Sequence, residues 1–258
     1  MAAGIVAAIA VGLAATAMVF QQSPTPAQQQ APPQPSPSPQ LPPVSAVPPP
    51  VSTPLPASVA PPRFVVVLDA AHGGSDTGAR MSGGALEKEI TLGFSARLRS
   101  TLHAHGIDVV MTRQTDASLT PVNRAETANQ AQGAACLTIH ATATGSGVHL
   151  FTSSLAPTAN TRFMPWSTAQ SAYITQSLKL ESEIDEALAH AQIPVSLARA
   201  SVAPMDSMTC PEVAVEIAPL VAGHVTRARA VTDASYQKSV IDAITAALEQ
   251  WRSDWRQE

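Results

Sequence analysis

Short apolar runs of the kind found in β-strands alternate with helical patterns from residue 64 to the end of this 258-residue chain. The predicted strands are 64–68, 108–112, 136–140, 147–151 and 213–217, with a weaker one near 196–199. One helix is clearest, because apolar residues recur in four-residue steps and stop before Gly106: Leu86, Ile90, Phe94, Leu98 and Leu102. Further helices are predicted over 121–132, 167–191 and 235–255. This alternation predicts an α/β fold, a single domain with a mostly parallel sheet flanked by helices on both faces.

The first 62 residues contain no charged residue and no histidine. Residues 1–20 are almost wholly apolar, which predicts a signal peptide or membrane anchor, although the usual positive start is missing. Residues 21–62 hold sixteen of the twenty-three prolines and predict a disordered Pro-rich linker. In extended geometry such a linker could span on the order of 100 Å. We therefore expect an exported protein of the periplasm or cell envelope, and an inner-membrane tether is left open.

Charge and cysteine content narrow the function of the remaining region, residues 63–258. The formal net charge is −4, and no cluster of Lys and Arg interleaves with aromatic residues, which excludes nucleic acid as a partner. The two cysteines, Cys136 and Cys210, lie in or beside predicted strands. We expect them to be buried small apolar residues and neither a disulfide nor a nucleophile.

Four side chains that can bind metal or protons lie at the ends of these elements. His72 follows the first strand and is itself followed by two glycines, His140 ends another strand, Glu87 opens the clearest helix, and Glu216 ends the last strand. In open α/β sheets, ligands gather beyond the carboxyl ends of parallel strands, so these residues can converge. Two imidazoles and a carboxylate suit a catalytic zinc, which keeps a fourth position for water. Glu216 would then remain free as a general base.

Simpler interpretations exist for each of these residues. A single strand-end histidine is more often a hydrogen-bonded core residue than a ligand. Glu89 is the other candidate for the carboxylate ligand. Two residues along a helix rotate a side chain by roughly 200°, so Glu89 would point away from the site, and we choose Glu87. The other polar residues have simpler expected roles. We expect surface or polar-network positions for five histidines: His103, His105, His149, His190 and His224. We expect Asp69 and Asp76 to be partners of ligand imidazoles or loop caps, and Arg113 and Arg124 to form structural ion pairs rather than bind substrate.

The chain from residue 63 onward resembles the zinc-dependent N-acetylmuramoyl-L-alanine amidases of bacterial cell-wall turnover and division. The resemblance lies in residues 69–79 (DAAHGGSDTGA), 87–90 (EKEI), 112–116 (TRQTD), 124–129 (RAETAN), 138–141 (TIHA) and 215–216 (VE). It implies a zinc-dependent amidase catalytic domain over 63–258, with zinc ligands at His72, Glu87 and His140 and the catalytic glutamate at Glu216. The chain departs from the family pattern at four positions that are not ligands: Ala70, Ala71, Thr138 and Thr142.

The resemblance also implies a substrate, peptidoglycan. The expected reaction is hydrolysis of the amide between N-acetylmuramic acid and L-alanine by zinc-activated water. Two alternatives stay open: a catalytically inert peptidoglycan-binding or regulatory domain that keeps the fold, and a zinc peptidase that cuts within the stem peptide. The need for a protein activator also stays open.

Overall fold

The computed structural model describes residues 63–159, 161–221 and 228–255, and these form one six-stranded sheet with helices on both faces. The strands are β1 Val65–Ala70, β2 Asp108–Met111, β3 Ala135–Ala141, β4 Val148–Ser153, β5 Val195–Ala200 and β6 Glu212–Ile217, in the order β2-β1-β3-β6-β4-β5. The helices are α1 Glu87–Ala104, α2 Pro121–Ala131, α3 Ile174–His190 and α4 Ala234–Trp255, with 3₁₀ helices at Trp166–Ala172 and Met205–Ser207. The predicted α/β class is confirmed.

The sheet is mostly parallel, as predicted, with one change of direction. β2, β1, β3 and β6 run parallel to one another. β4 pairs antiparallel with β6, and β5 runs parallel to β4. The change of direction brings residues of β4 against the strand that carries Glu216.

Side chains alternate between the two faces of the sheet along each strand, and each face has its own apolar core. Val66 and Leu68 of β1 join the larger core with apolar residues of α1, α3 and α4, such as Phe94 and Ile184. Val67 points to the other face and joins a smaller cluster under α2. Because side chains alternate with a period of two, the residues on this second face include His140 and Glu216.

The start predicted for α2 is confirmed, whereas the start predicted for α3 is wrong. α2 begins at Pro121, as predicted, and the hydroxyl of the preceding residue, Thr120, accepts a hydrogen bond from the Asn123 N–H at 3.2 Å. The helix predicted over 167–191 is not continuous, because its first part is a 3₁₀ helix before α3. There, the buried amide of Gln170 donates to the carbonyls of Met208 and Cys210, which ties this segment to the chain before β6.

The prediction for the cysteines was right about burial and wrong about bonding. Cys136 and Cys210 are both 1% exposed and form a disulfide. They are 74 residues apart in sequence, and the parallel pairing of β3 with β6 brings their Cα atoms to 6.0 Å. The bond joins β3, which carries His140, to the segment that enters β6.

Within the described part of the chain, no helix is both long enough and apolar enough to cross a membrane. The predicted signal peptide or anchor (1–20) and Pro-rich linker (21–62) lie outside the described residues.

Candidate metal centre and active site

Three of the four predicted site residues meet at the carboxyl edge of the sheet. His72 lies in the loop after β1, Glu87 is the first residue of α1, and His140 is near the end of β3. Oε1 of Glu87 is 3.1 Å from Nε2 of His72 and 2.9 Å from Nδ1 of His140. One ligand atom from each residue lies within 4.8 Å of the others. The group could therefore hold a metal ion.

Glu87 is held as a carboxylate. Burial opposes its ionisation, but hydrogen bonds from His140 and His72 outweigh this cost and lower its pKa. The backbone N–H groups of Ala79 and Ala141 add to the effect, at 2.8 Å and 3.2 Å from the two carboxylate oxygens. An ionised carboxylate between two imidazoles matches the charge that a divalent cation requires.

His72 is oriented by contacts on its other side. Its Nδ1 donates to Oδ2 of Asp76 at 2.8 Å, which leaves Nε2 facing Glu87. The hydrogen bond to Glu87 raises the pKa of His72, burial partly opposes the rise, and Asp76 adds to it. A carboxylate behind a ligating histidine is the usual arrangement at protein metal sites, because it sets the tautomer and the ring orientation.

Gly78 makes room for the convergence of His72 and Glu87. A Cβ atom at this position would lie 2.6 Å from Oε2 of Glu87 and 2.7 Å from Cδ2 of His72. The residue also has φ +61°, which favours glycine. The donor set and this cradle both fit a small divalent cation with nitrogen and oxygen ligands.

Two buried arginines hold the loop that carries His72. Arg124 donates to Oδ1 of Asp69 at 2.7 Å and to the His72 carbonyl at 2.6 Å. Arg113 donates to the carbonyls of Ala70 and Ala71 at 2.8 Å and 2.9 Å. Arg124 forms the predicted structural ion pair, with Asp69, whereas Arg113 forms no ion pair among the described residues and holds backbone carbonyls instead. Of the two aspartates, Asp76 contacts the imidazole of the candidate ligand His72, whereas Asp69 pairs with Arg124, which holds the His72 loop.

The fourth candidate, Glu216, lies beside the group of three. It is the register partner of His140 in the β3–β6 pair, and both side chains line a cavity of about 330 Å³. Most of the remaining lining is apolar and includes Phe151, Val202 and Met205. A carboxylate that lines an apolar cavity, next to a cluster that could hold a metal ion, is suited to accept a proton from water near a bound substrate.

A family model described as N-acetylmuramoyl-L-alanine amidase matches residues 66–250. The chain belongs to this family. The match includes all four candidate residues and every element from β1 to most of α4.

Individual relatives share shorter stretches. N-acetylmuramoyl-L-alanine amidase AmiA of Escherichia coli is 42% identical over 77 residues, which are 30% of this chain and 27% of that protein. AmiC of Neisseria meningitidis is 31% identical over 108 residues, 40% of this chain and 26% of that protein. The chain thus spans about a quarter of the length of these curated relatives.

Solved structures of amidases share the fold. The CwlV catalytic domain of Bacillus (Paenibacillus) polymyxa superposes with a TM-score of 0.56 at 21% identity, over 74% of this chain and 98% of that one. Ami1 of Mycobacterium smegmatis gives 0.58 at 19% identity, over 74% and 97%.

Sequence reasoning placed His149 among surface or polar-network residues, and the structure puts it in a network at the site. Its Nδ1 is 2.7 Å from Oε2 of Glu216. The available sequence signal was that His149 alternates with the apolar residues Val148 and Leu150, so it faces away from the larger core. Nothing local indicated that Glu216 lies on the neighbouring strand.

The remaining histidines that the structure describes, and the residues that depart from the family pattern, lie outside the cluster of three possible ligands. His105 pairs with Glu249 at 3.0 Å, His103 and His190 are exposed, and His224 lies outside the described residues. Of the residues that depart from the family pattern, Thr138 donates to Oε1 of Glu212 at 2.8 Å, and none of the four is in the cluster of three possible ligands.

Proposed function

We propose that this chain hydrolyses the amide between N-acetylmuramic acid and L-alanine in peptidoglycan. The observation that carries the proposal is the convergence of His72, Glu87 and His140, with Glu216 facing the same cavity as His140, in a member of the amidase family.

In this proposal His72, Glu87 and His140 would hold a zinc ion, since two imidazoles and a carboxylate leave a position open for water. A zinc ion held there would supply Lewis-acid polarisation of the amide carbonyl and would lower the pKa of water, so that hydroxide is available near neutral pH. Asp76 fixes the His72 ring through the 2.8 Å hydrogen bond, and Glu216 accepts the proton from the attacking water and returns it to the leaving amine.

The cavity beside Glu216 accounts for the recognition of a peptide next to the scissile bond. Its walls contain the side chains of Phe151, Val202, Met205 and Ala214. An apolar wall of this kind accepts the alkyl part of a short stem peptide, while His140 and Glu216 face the reacting amide.

We further propose that residues 63–258 form the catalytic domain of an exported envelope protein. A leader or anchor (1–20) and a Pro-rich linker (21–62) precede this domain. The Cys136–Cys210 disulfide supports export, because disulfides persist in oxidising compartments such as the periplasm. The linker composition supports a tether that extends the domain towards its polymeric substrate.

The test is release of stem peptides from purified peptidoglycan, measured by mass spectrometry with zinc supplied and with and without an envelope extract as a source of activators. We expect the wild type to release peptides that begin with L-alanine. Glu216→Gln keeps the volume of the side chain but removes the base, so the rate should fall about 10²- to 10⁴-fold with zinc content unchanged. His140→Ala, in contrast, should lose zinc.

Each alternative gives a different result. An inert binding domain would bind peptidoglycan and release nothing under any of these conditions. A peptidase would release fragments cut between stem residues and leave L-alanine on the glycan. Loss of zinc from Glu216→Gln would make Glu216 a ligand, and equal zinc in wild type and His140→Ala would remove His140 from the metal centre.

A further inference from the structure

His149 and Glu216 form a cross-strand pair on the face of the sheet that carries the cavity. They are register partners in the antiparallel pair of β4 and β6, and residues directly opposite each other in such a pair project to the same face. Val148 and Leu150, on either side of His149, point into the larger core. The 2.7 Å contact between Nδ1 of His149 and Oε2 of Glu216 therefore lies at the site and outside the core.

Gly145 leaves room for the imidazole of His149. A Cβ atom at Gly145 would lie 2.4 Å from Cε1 and 2.6 Å from Nε2 of His149, so the ring rests directly on the Gly145 backbone. Gly145 has φ +86°, a conformation that other residues rarely adopt. The ring therefore lies close to Gly145 on its Cε1–Nε2 side, with Nδ1 directed at the Glu216 carboxylate.

The contact leaves one carboxylate oxygen of Glu216 available. Oε2 is bonded to His149, and we find no second hydrogen bond to this carboxylate among the residues that the structure describes. The side chain of Glu216 is 30% exposed, so without His149 it could adopt other rotamers at little cost. The cavity lining includes Glu216 and not His149, so His149 can influence a molecule in the cavity only through Glu216.

We propose that His149 is a positioning residue, which donates from Nδ1 to Oε2 of Glu216 and directs the other oxygen towards the attacking water. This inference rests on the proposed amidase function and adds a residue to its catalytic apparatus. The His149–Glu216 hydrogen bond would hold the free carboxylate oxygen in the orientation that proton transfer requires. Loss of this bond should therefore lower the rate of the chemical step and leave substrate binding unchanged.

The experiment compares three single variants of the full chain, and one double variant, in the peptide-release assay. His149→Phe keeps a ring against Gly145 but removes the N–H donor. His149→Asn keeps an N–H donor near the position of Nδ1. His103→Leu is the matched control, since His103 is an exposed histidine on α1. Zinc content and thermal unfolding are measured for each, and His149→Leu replaces His149→Phe if the latter does not fold.

We expect His149→Phe to lower kcat about 10- to 100-fold with KM within about two-fold of wild type and zinc unchanged. His149→Asn should recover most of the lost kcat, and His103→Leu should match the wild type. In a Glu216→Gln background, His149→Phe should cause little further loss, because both changes remove the same function.

Three results would overturn the inference: wild-type kcat in His149→Phe, an equal loss of kcat in His149→Phe and His149→Asn, or full additivity of His149→Phe with Glu216→Gln. These results all require an active wild type. A wild type that releases no peptide instead removes the proposed function itself, so the two failures are distinguishable.

Discussion

At the scale of single residues, Glu212 is a carboxylic acid in the interior, four positions before Glu216 on β6. It is fully buried, accepts a hydrogen bond from Thr138 at 2.8 Å, and its Oε2 has no hydrogen-bond partner among the described residues. Burial raises its pKa to about 8, the Thr138 hydrogen bond opposes the rise, and the charges of Asp69 and Asp206 add to it. Glu212 is therefore mostly neutral in the native protein at pH 7.

This shift makes stability depend on pH. The native pKa of about 8 lies above the ordinary value of 4.5, so the native state binds the proton more tightly than the unfolded chain. The stabilisation is fully present below pH 4.5 and is lost as pH rises through 8. One pKa unit corresponds to about 1.4 kcal/mol, so the free energy of unfolding should fall by a few kcal/mol between pH 5 and pH 8.5.

We predict that Glu212→Gln reduces this fall, because the amide stays neutral and keeps the volume of the side chain. The free energy of unfolding should be measured by urea titration at pH 5, 7 and 8.5 on chelator-treated protein. Glu186→Gln, an exposed change on α3, is the control and should follow the wild type. If the free energy of unfolding changes with pH to the same extent in wild type and Glu212→Gln, Glu212 is not protonated in the native state.

At the scale of elements, the site depends on how β3, β6 and β4 lie side by side. β3 supplies His140 and β4, the next strand in sequence, supplies His149, whereas β6, which supplies Glu216, comes from a much later part of the chain. The Cys136–Cys210 disulfide ties β3 to the segment that enters β6. Closing a loop between residues 74 positions apart restricts the unfolded chain, which stabilises the native state by about 4 kcal/mol in the chain-entropy account.

We predict that replacing both cysteines by alanine lowers the free energy of unfolding by about 2–5 kcal/mol. Alanine avoids placing a hydroxyl in the apolar cluster around Cys136. A reducing agent should lower the stability of the wild type to a similar extent and leave the double variant unchanged. The direct check is a thiol titration of denatured, unreduced wild type, where two reactive thiols in place of none would contradict the disulfide.

At the scale of the whole molecule, all charged residues lie between Arg63 and the C-terminus, and the family match lies within the same region. The first described residues already make tertiary contacts. The Phe64 ring packs edge-to-face on Trp255 with centroids 5.5 Å apart, and Arg63 pairs with Asp108 at 2.5 Å. The boundary of the folded unit should therefore fall just before Arg63.

Deletion of residues 2–62 should leave a soluble, folded domain with full zinc content and unchanged kcat on soluble muropeptides. The matched control is deletion of residues 2–64, which also removes the Phe64–Trp255 contact. Loss of a partly buried aromatic contact should lower the melting temperature of this second protein by several degrees. Aggregation or zinc loss in the first deletion would place the boundary nearer the N-terminus.

The sequence by itself determined the features that depend on local periodicity and local chemistry. The apolar stripe of α1, the strand-type runs and the glycine-flanked His72 predicted the α/β class and the three residues that converge. The tertiary structure decided the antiparallel placement of β4, the His149–Glu216 contact and the Cys136–Cys210 bond. Those features depend on which strands become neighbours, and strand pairing is set by burial and packing across the whole chain, which no local pattern contains.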